Sequence, residues 1–145
     1  DPAPTELYTG TTSSAASDVY KRQTPAHVPG PPPHYHEKYS EAFIVIEGKM
    51  DFIVDGKPRT VFAGESVDLP PGALHTFSNN SDKPCKWVNI HSPKGFLKFF
   101  EQMGVSTEED GAFEKSVADE LIQKVIQEAP QFDMVITMGA PHPSE

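Results

Sequence analysis

The sequence is short of cysteine, of basic residues and of long apolar runs, and each shortage excludes a class of protein. Cys85 is the one cysteine among 145 residues, so no disulfide can form within the chain. The 12 Lys and Arg residues stand against 21 Asp and Glu, and the net charge of −9 argues against a nucleic-acid partner. No apolar run approaches the length that spans a membrane. We therefore predict a small globular protein that takes neither nucleic acid nor a membrane as its partner.

The single cysteine also bears on the compartment in which the protein works. One unpaired cysteine is typical of a reducing compartment or of a protein indifferent to redox state, and on that ground we predict a cytoplasmic protein. The sequence starts at Asp1 rather than Met, so a removed targeting segment, and with it secretion, stays open. The length suffices for one domain with a modest core.

Residues 1–25 form an N-terminal segment with an unusual stretch inside it. Residues 13–23 read SSAASDVYKRQ, and the last six letters match the translation of a transposase adapter used in sequencing libraries. The stretch also lacks any hydrophobic period. We hypothesise that it is an artefact from a metagenomic read, with a native Ser/Ala-rich linker as the alternative. On this hypothesis residues 1–23 carry no functional information, and the artefact could have replaced a native first strand.

Short strands and tight turns are predicted for residues 26–92. The run Glu41–Glu47 is β-branched and aromatic and is apolar on both faces, which is typical of a central strand. Asp55 and Gly56 give a strong hairpin signal, and Pro70–Gly72 ends a further strand. Strands and turns at this spacing predict an all-β domain, either an antiparallel sandwich or a barrel.

Residues 93–145 are predicted to form helices and a tail that pack on this β-domain. Aromatic and apolar residues recur at helical spacing from Phe96 to Met103, and Gly104 stops that helix. A second amphipathic helix is predicted to follow Gly111 and to end before Pro130. We expect the helices to cover an open side or rim of the β-domain.

Three histidines and one carboxylate are candidates for a metal site. His34 and His36 are two residues apart, so on an extended strand both imidazoles point to one face. A turn after His36 would let Glu41 face the same interior, and His75 follows a Pro-x-Gly turn in a distant hairpin. Such a set suits one divalent ion of Fe, Mn, Co, Ni, Cu or Zn, whose identity the sequence does not select. The alternative is that the histidines are structural residues of a metal-free domain.

The runs that carry these four residues resemble the two motifs of the cupin superfamily. The usual first motif is G-x5-H-x-H-x3,4-E-x6-G, and the chain departs from it only in having three residues between Gly30 and His34. The second motif, G-x5-P-x-G-x2-H-x3-N, is matched at every position over residues 64–79. The resemblance covers residues 26–92 and implies an antiparallel jelly-roll β-barrel with a C-terminal helical extension, often dimeric. It also implies a set of metal ligands, namely His34, His36, Glu41 and His75.

A finer resemblance is to the small, bacterial, quercetin-dioxygenase-like cupins. It rests on the Gly-Pro-Pro-Pro-His-x-His opening and on the residues from Ser92 to Phe100. It implies a metal-dependent oxidoreductase, a dioxygenase of a small phenolic or enol-type substrate, in which Glu41 either stays a ligand or leaves to accept the substrate proton. A metal-dependent isomerase or epimerase of sugars or keto-enols is an alternative on the same fold, and a non-catalytic small-molecule-binding module is another.

Apolar residues near the four candidates are predicted to form a pocket wall. Phe43 and Val45 share the alternation of Glu41, and Phe77 shares that of His75. These three side chains would line a substrate pocket around the metal. Ordinary core packing is the alternative, and both can hold at once.

Other residues with reactive side chains are given plainer roles. Glu37 faces away from the site on a strand and is predicted to be solvated, and His27 and His142 lie in Pro-rich segments that favour the surface. Cys85 is interpreted as a small packing residue, because no base is paired with it in the sequence. For His91 two placements stay open, one at the mouth of the pocket and one exposed.

Overall fold

The computed structural model describes residues 8–9, 17–106, 108–116 and 118–137. The strands of these ranges are β1 (Tyr8–Thr9), β2 (Asp18–Thr24), β3 (Val28–Pro29), β4 (His34–Tyr35), β5 (Ser40–Glu47), β6 (Lys49–Val54), β7 (Lys57–Phe62), β8 (Ser66–Leu69), β9 (His75–Asn79), β10 (Cys85–Ser92) and β11 (Val135–Ile136). The helices are α1 (Leu97–Met103), α2 (Ala112–Ser116) and α3 (Asp119–Glu128), and a 3-10 turn covers Ala129–Phe132. None of the helices in the described ranges has the length and apolar character needed to cross a membrane.

The strands form two antiparallel sheets that pack against each other. The first sheet has the order β1-β2-β10-β5-β8, and the second has the order β11-β4-β9-β6-β7 with β3 also paired to β9. This arrangement confirms the predicted all-β, jelly-roll-like fold class. The two sheets stay separate and are not closed into a barrel.

The main core lies between the two sheets and is built from alternate residues of the strands. Phe43 of β5 stacks on Trp87 of β10 with ring centroids 5.0 Å apart, and it meets the edge of Phe52 of β6 at 5.1 Å. The first contact links neighbouring strands of one sheet, and the second joins that sheet to the other. Burial of such aromatic and aliphatic side chains is the main stabilising contribution to folding.

The inward-facing positions become polar towards the other end of the same strands. On β5 the alternation that buries Phe43 also buries Glu41, and β10 places His91 directly opposite Glu41 in the antiparallel register. On β9, His75 is buried at the start of the strand. The space between the sheets therefore has an apolar end and a polar end.

The C-terminal region adds a second apolar cluster beside the polar end. The cluster has Phe96, Ala129 and Met134 at its centre, surrounded by Tyr39, Phe99, Phe100, Phe132 and Ile136. After the 3-10 turn the chain returns to the sheet, where β11 pairs with β4. Residues 138–145 lie outside the described ranges.

The sheet begins before residue 26, where the β-domain was predicted to start. Strand β2 pairs with β10, and its Tyr20 side chain is buried. The guanidinium of Arg22 lies 3.7 Å from the ring centroid of Phe100. Strand β2 thus contains the last residues of the adapter-like stretch, and residues 13–16 of that stretch lie outside the described ranges. The origin of the stretch stays a hypothesis.

Glycine is required at particular positions of both motifs. A Cβ atom on Gly30 would lie 1.6 Å from the carbonyl oxygen of Phe77, so the two backbones approach too closely for any side chain. Gly48, Gly64 and Gly72 have φ angles of 78°, 88° and 84°, a left-handed backbone that glycine adopts at little cost and that suits tight turns.

Candidate metal centre

The structure brings the four predicted ligands together in the polar end of the interior. Each of the four offers one ligand atom, and these atoms all lie within 4.8 Å of one another. Every member is buried, and the most exposed of them retains 7% of its accessible surface. The four residues are His34, His36, Glu41 and His75.

The three imidazole rings are held in the same tautomer by backbone carbonyl groups. The Nδ1 atoms of His34, His36 and His75 lie 2.9, 2.6 and 2.9 Å from the carbonyl oxygens of Pro32, Asp133 and Ala73. A carbonyl oxygen can only accept, so Nδ1 carries the hydrogen atom in each ring. Each neutral ring therefore presents the lone pair of Nε2 to the centre of the cluster.

Two of these Nε2 atoms, those of His36 and His75, lie close to a carboxylate oxygen, which is also an acceptor. Glu41 Oε2 lies 2.9 Å from His75 Nε2 and 3.2 Å from His36 Nε2. Although the distances are short, none of the three atoms has a hydrogen-bond partner of acceptable geometry among the described residues. Burying unsatisfied acceptors is costly, and a cation among them would satisfy all of them at once. The donor set fits a divalent transition metal, and the carbonyl contacts to Nδ1 are the kind that orient such ligands.

The electrostatics of the cluster favour one anion together with compensating positive charge. Burial raises the pKa of Glu41, but His36, His75 and His91 outweigh it and hold that pKa well below its usual range. Burial lowers the pKa of His36, but Glu41 and the carbonyl of Asp133 outweigh it and the net shift is upward. Burial lowers the pKa of His34 to about 3, so this ring stays neutral and available as a ligand.

Two further polar residues contact Glu41 and were not predicted as site residues. His91 Nε2 lies 2.6 Å from Glu41 Oε1, and Asn89 Nδ2 donates to the same oxygen at 3.3 Å. His91 is 1% exposed, so of its two open placements the structure selects the inward one. Burial lowers the pKa of His91, and Glu41 partly opposes that shift. The signal in the sequence was the alternation of both residues with the buried Trp87.

Aromatic side chains from the C-terminal region lie against the cluster. The Phe96 ring stacks on His91 with centroids 4.3 Å apart, and it meets His36 edge-on at 5.1 Å. Tyr39, in the loop between two of the predicted ligands, lies 6.1 Å from the ring of His36. From the sequence, Phe96 was predicted only as part of a helix, because no neighbouring residue indicated a contact with the histidines.

The three residues predicted as a pocket wall belong to or border the main core. Phe43 and Val45 are buried in that core, and the half-buried Phe77 packs against it. The ring centroid of Phe43 lies 6.4 Å from that of His75, so this side chain reaches the candidate ligands. A role of these residues in substrate binding stays a prediction.

The remaining reactive side chains lie apart from the cluster. Glu37 is exposed, and His27 is an exposed residue whose Nε2 lies 2.9 Å from Oδ1 of Asp82. Cys85 is buried, and burial raises the pKa of its thiol to about 11. That shift leaves little thiolate at neutral pH and fits a packing role. His142 lies outside the described ranges.

Fold and site together define a jelly-roll domain with three histidines and one glutamate converging inside it. Residues 24–91 match the family model described as the cupin domain. This range contains all four candidate ligands and both motifs. Residues 24–91 therefore form a cupin domain.

Individual relatives match limited parts of the chain. The quercetin 2,3-dioxygenase of Bacillus subtilis is 31% identical over 71 residues, which are 49% of this chain and 21% of that protein. The gentisate 1,2 dioxygenase 1 of Aquipseudomonas alcaligenes is 38% identical over 58 residues, which are 40% of this chain and 17% of that protein. The chain thus spans about a fifth of the length of these relatives.

Solved structures share the fold. A sugar phosphate isomerase of the cupin superfamily from Silicibacter pomeroyi superposes with a TM-score of 0.52 at 20% identity, over 57% of this chain and 54% of that one. At this identity the likeness speaks for the fold and not for the reaction.

Proposed function

We propose that the chain binds one divalent transition metal through His34, His36, Glu41 and His75 and acts as a metal-dependent dioxygenase of a small phenolic or enol-type substrate. The observation that carries the metal is the convergence of buried, unsatisfied acceptor atoms within 4.8 Å. The matches to two dioxygenases over the cupin region support the reaction class.

The side chains around the cluster have complementary tasks in this proposal. A bound metal would supply positions for oxygen ligands and Lewis-acid chemistry. The burial of the ligands excludes bulk water, and the aromatic rings of Phe96 and Tyr39 offer an apolar surface beside them. Glu41 is ionised at neutral pH and can accept a proton at Oε2, while Asn89 donates to Oε1 and His91 Nε2 lies 2.6 Å from it. Because its pKa is low, Glu41 is a weak base, so it could accept the proton of a phenol or enol only where a bound metal lowers the pKa of that hydroxyl.

Replacement of Glu41 separates the role of a base from that of a ligand. We expect Glu41→Gln to lower turnover far more than it lowers metal content, because the amide keeps an oxygen but cannot take up the proton. Metal content is measured by elemental analysis of protein purified without added metal, and turnover by oxygen consumption. Glu37→Gln, on the exposed neighbouring carboxylate, is the control and should change neither. Equal losses of metal and turnover would make Glu41 a ligand only, and no loss of either would refute both roles.

An oxygen electrode tests the reaction class directly. The metal-loaded protein is offered a flavonol and related diketones, and we expect oxygen to be consumed in proportion to product. Loaded protein that turns over a keto-enol or sugar without oxygen uptake would instead favour the second candidate, a metal-dependent isomerase or epimerase. That candidate needs the same buried acid and histidines, and the fold it would use is one that a sugar phosphate isomerase also has.

A third candidate is a non-catalytic module that binds a small molecule at the same site. Thermal-shift screening against sugars and phenolics would expose such a binder, since a ligand of the folded state raises the apparent stability. A compound that raises the midpoint without being converted would favour this candidate over both enzymes.

We also propose that the protein forms a homodimer. The support is two large apolar side chains that stay more than half exposed, Ile46 at 55% and Phe62 at 53%. Backbone hydrogen bonds link their neighbours, from Ala63 N to Gly48 O and from Gly64 N to Val45 O, so both belong to one region of the surface. Light scattering of the purified chain tests the mass, and Ile46→Lys should yield a monomer. A wild-type mass of one chain would refute the proposal.

The adapter origin of residues 13–23 also stays our proposal. Strand β2 buries Nε and Nη2 of Arg22 without hydrogen-bond partners among the described residues, and burial lowers the pKa of this side chain to about 10. The guanidinium lies 3.7 Å from the ring centroid of Phe100, which offsets part of the cost of this burial, so the main support stays the match of residues 18–23 to a translated adapter. Resequencing of the source DNA across this stretch tests the proposal, which a native gene encoding the same residues would refute.

A further inference from the structure

A single residue of the C-terminal region contacts one candidate ligand and the loop that separates it from the next, through four hydrogen bonds in all. The backbone carbonyl of Asp133 lies 2.6 Å from His36 Nδ1. Its carboxylate accepts hydrogen bonds from three consecutive backbone N–H groups, those of Glu37, Lys38 and Tyr39, at 3.1, 2.7 and 3.2 Å. The partners are separated from Asp133 by 94 to 97 residues along the chain.

This loop decides how the first motif presents its ligands. It joins His36, just after β4, to Glu41 near the start of β5, and its residues 37–39 belong to no strand. The carbonyl of His36 is also fixed, because it accepts a hydrogen bond from Gly72 N–H at 2.7 Å. Because the loop connects His36 directly to the start of the strand that carries Glu41, a shift of its backbone would change the distance between the ligand atoms of these two residues.

Asp133 itself is anchored on both sides. Its φ and ψ of 55° and 38° are left-handed, and its N–H donates to the carbonyl of Pro130 at 3.3 Å. The next residue, Met134, is buried and donates to Ala129 at 3.1 Å. Beyond it, β11 pairs with β4, so that Ile136 lies opposite His34. The contacts of Asp133 therefore connect the loop to a segment that is itself held by backbone hydrogen bonds and by the pairing of β11 with β4.

We propose that Asp133 is a positioning residue of the metal centre. It orients the ring of His36 through its carbonyl, and it holds the loop before Glu41 through its carboxylate. It lies outside residues 24–91, so the cupin domain of this chain would depend on a C-terminal residue for its full metal affinity. The inference rests on the proposed metal site and is independent of the reaction and substrate.

Asp133→Gly is the decisive variant because it removes the carboxylate and keeps the backbone. Glycine adopts a positive φ readily, so the carbonyl contact to His36 can persist. The full chain is titrated with Co²⁺ alone, and both the affinity and the visible spectrum of the bound ion are measured. We expect an affinity roughly 10- to 100-fold weaker than that of the wild type, the usual loss when an outer partner of a ligand is removed, and an altered spectrum. Asp133→Asn, which keeps one oxygen and tolerates the left-handed backbone, should lie between the two.

Asp51→Asn is the matched control. The Asp51 carboxylate also accepts two hydrogen bonds, from Thr60 Oγ1 at 2.6 Å and from Asn80 Nδ2 at 3.2 Å. We expect this variant to keep the Co²⁺ affinity and spectrum of the wild type, with thermal unfolding recorded for every variant.

Three results would overturn the inference, and they are distinguishable from failure of the metal site. A folded Asp133→Gly with the affinity and spectrum of the wild type would refute it. So would equal weakening by Asp51→Asn, which would mean general destabilisation. If Asp133→Gly does not fold, Asp133→Asn decides, and an unchanged affinity refutes the inference. A wild type that binds no Co²⁺ would refute the metal site itself, and this inference with it.

Discussion

The two ends of the space between the sheets use the same strands for opposite purposes. At the apolar end, β5 and β10 contribute Val45 and Trp87 to a core of apolar contacts, and the one polar atom of the Trp87 side chain donates to Thr24 Oγ1 at 2.9 Å. At the polar end, Glu41 and His91 occupy the equivalent inward positions of the same two strands. The alternation of side chains along each strand fixes which residues face inward. The chemical type of those residues then decides whether an end stabilises the fold or buries unsatisfied acceptors.

The difference has an energetic consequence. Burial at the apolar end contributes to stability whether or not a metal is bound, because it depends on area removed from water. The polar end buries acceptors that face one another, which costs free energy until a cation lies among them. Stability should therefore respond to core substitutions at one end and to metal at the other.

The largest expected effect comes from a cavity at the apolar end. Phe52 is 1% exposed, and we expect Phe52→Ala to lower the free energy of unfolding by about 3–5 kcal/mol. Urea unfolding measures this loss. If the two ends are independent, the variant should still bind Co²⁺ with the affinity of the wild type under conditions in which it is folded. A large loss of affinity would show that the ends are coupled.

A smaller effect is expected from metal at the polar end. A ligand present at 100 times its Kd stabilises the folded state by about 2.7 kcal/mol, provided that it does not bind the unfolded chain. We expect the thermal midpoint to rise with Co²⁺ concentration in the wild type and not in His75→Ala, which lacks one Nε2 atom of the cluster. A rise of the same size in both proteins would place the bound ion elsewhere.

The smallest effect per step, at most about 1.4 kcal/mol per pH unit for each titrating group, should be that of pH on the metal-free protein. The pKa of His34 falls from its ordinary value of 6.5 to about 3 in the folded state, so between these values the unfolded chain binds a proton that the folded chain does not. Stability should therefore decrease as the pH falls from 6.5 towards 3. The lowered pKa values of His91 and Glu41 act in the same direction, and the raised pKa of His36 opposes them.

Urea unfolding in the presence of EDTA at a series of pH values measures this slope. His34→Gln should make it shallower, whereas His27→Gln, on the surface, should leave it unchanged. An identical slope in wild type and His34→Gln would contradict the assignment of this loss to the buried ring.

The sequence was informative about the candidate ligands for two reasons: the placement of His34 and His36 is local, and the resemblance to the cupin motifs implied that Glu41 and His75 join them. The two-residue spacing of His34 and His36 and the glycines of the turns express backbone geometry that any strand must obey. The same local rules predicted an all-β domain. They did not reveal that the sheets stay open, because closure depends on contacts between distant edges.

The residues that support the ligands carried no local signal of their role. Asp133 reaches the first motif across more than 90 residues, and nothing near it in the sequence indicates that contact. His91 was ambiguous because Val88 and Ile90, on the opposite face of β10, are apolar as well, so either face could have been buried. Such placements follow only from the packing of whole sheets.

The carbonyl contacts to the three Nδ1 atoms have a consequence for how an ion would be received. A half-turn of any of these rings would bring a carbon atom against the carbonyl oxygen and break the hydrogen bond, so the imidazoles are pinned before an ion arrives. The conformational entropy of ordering them is lost when the chain folds and not when the ion binds. The rate of ion binding should therefore depend on dehydration of the ion and on its access to the buried site, because the imidazole ligands need no change of rotamer.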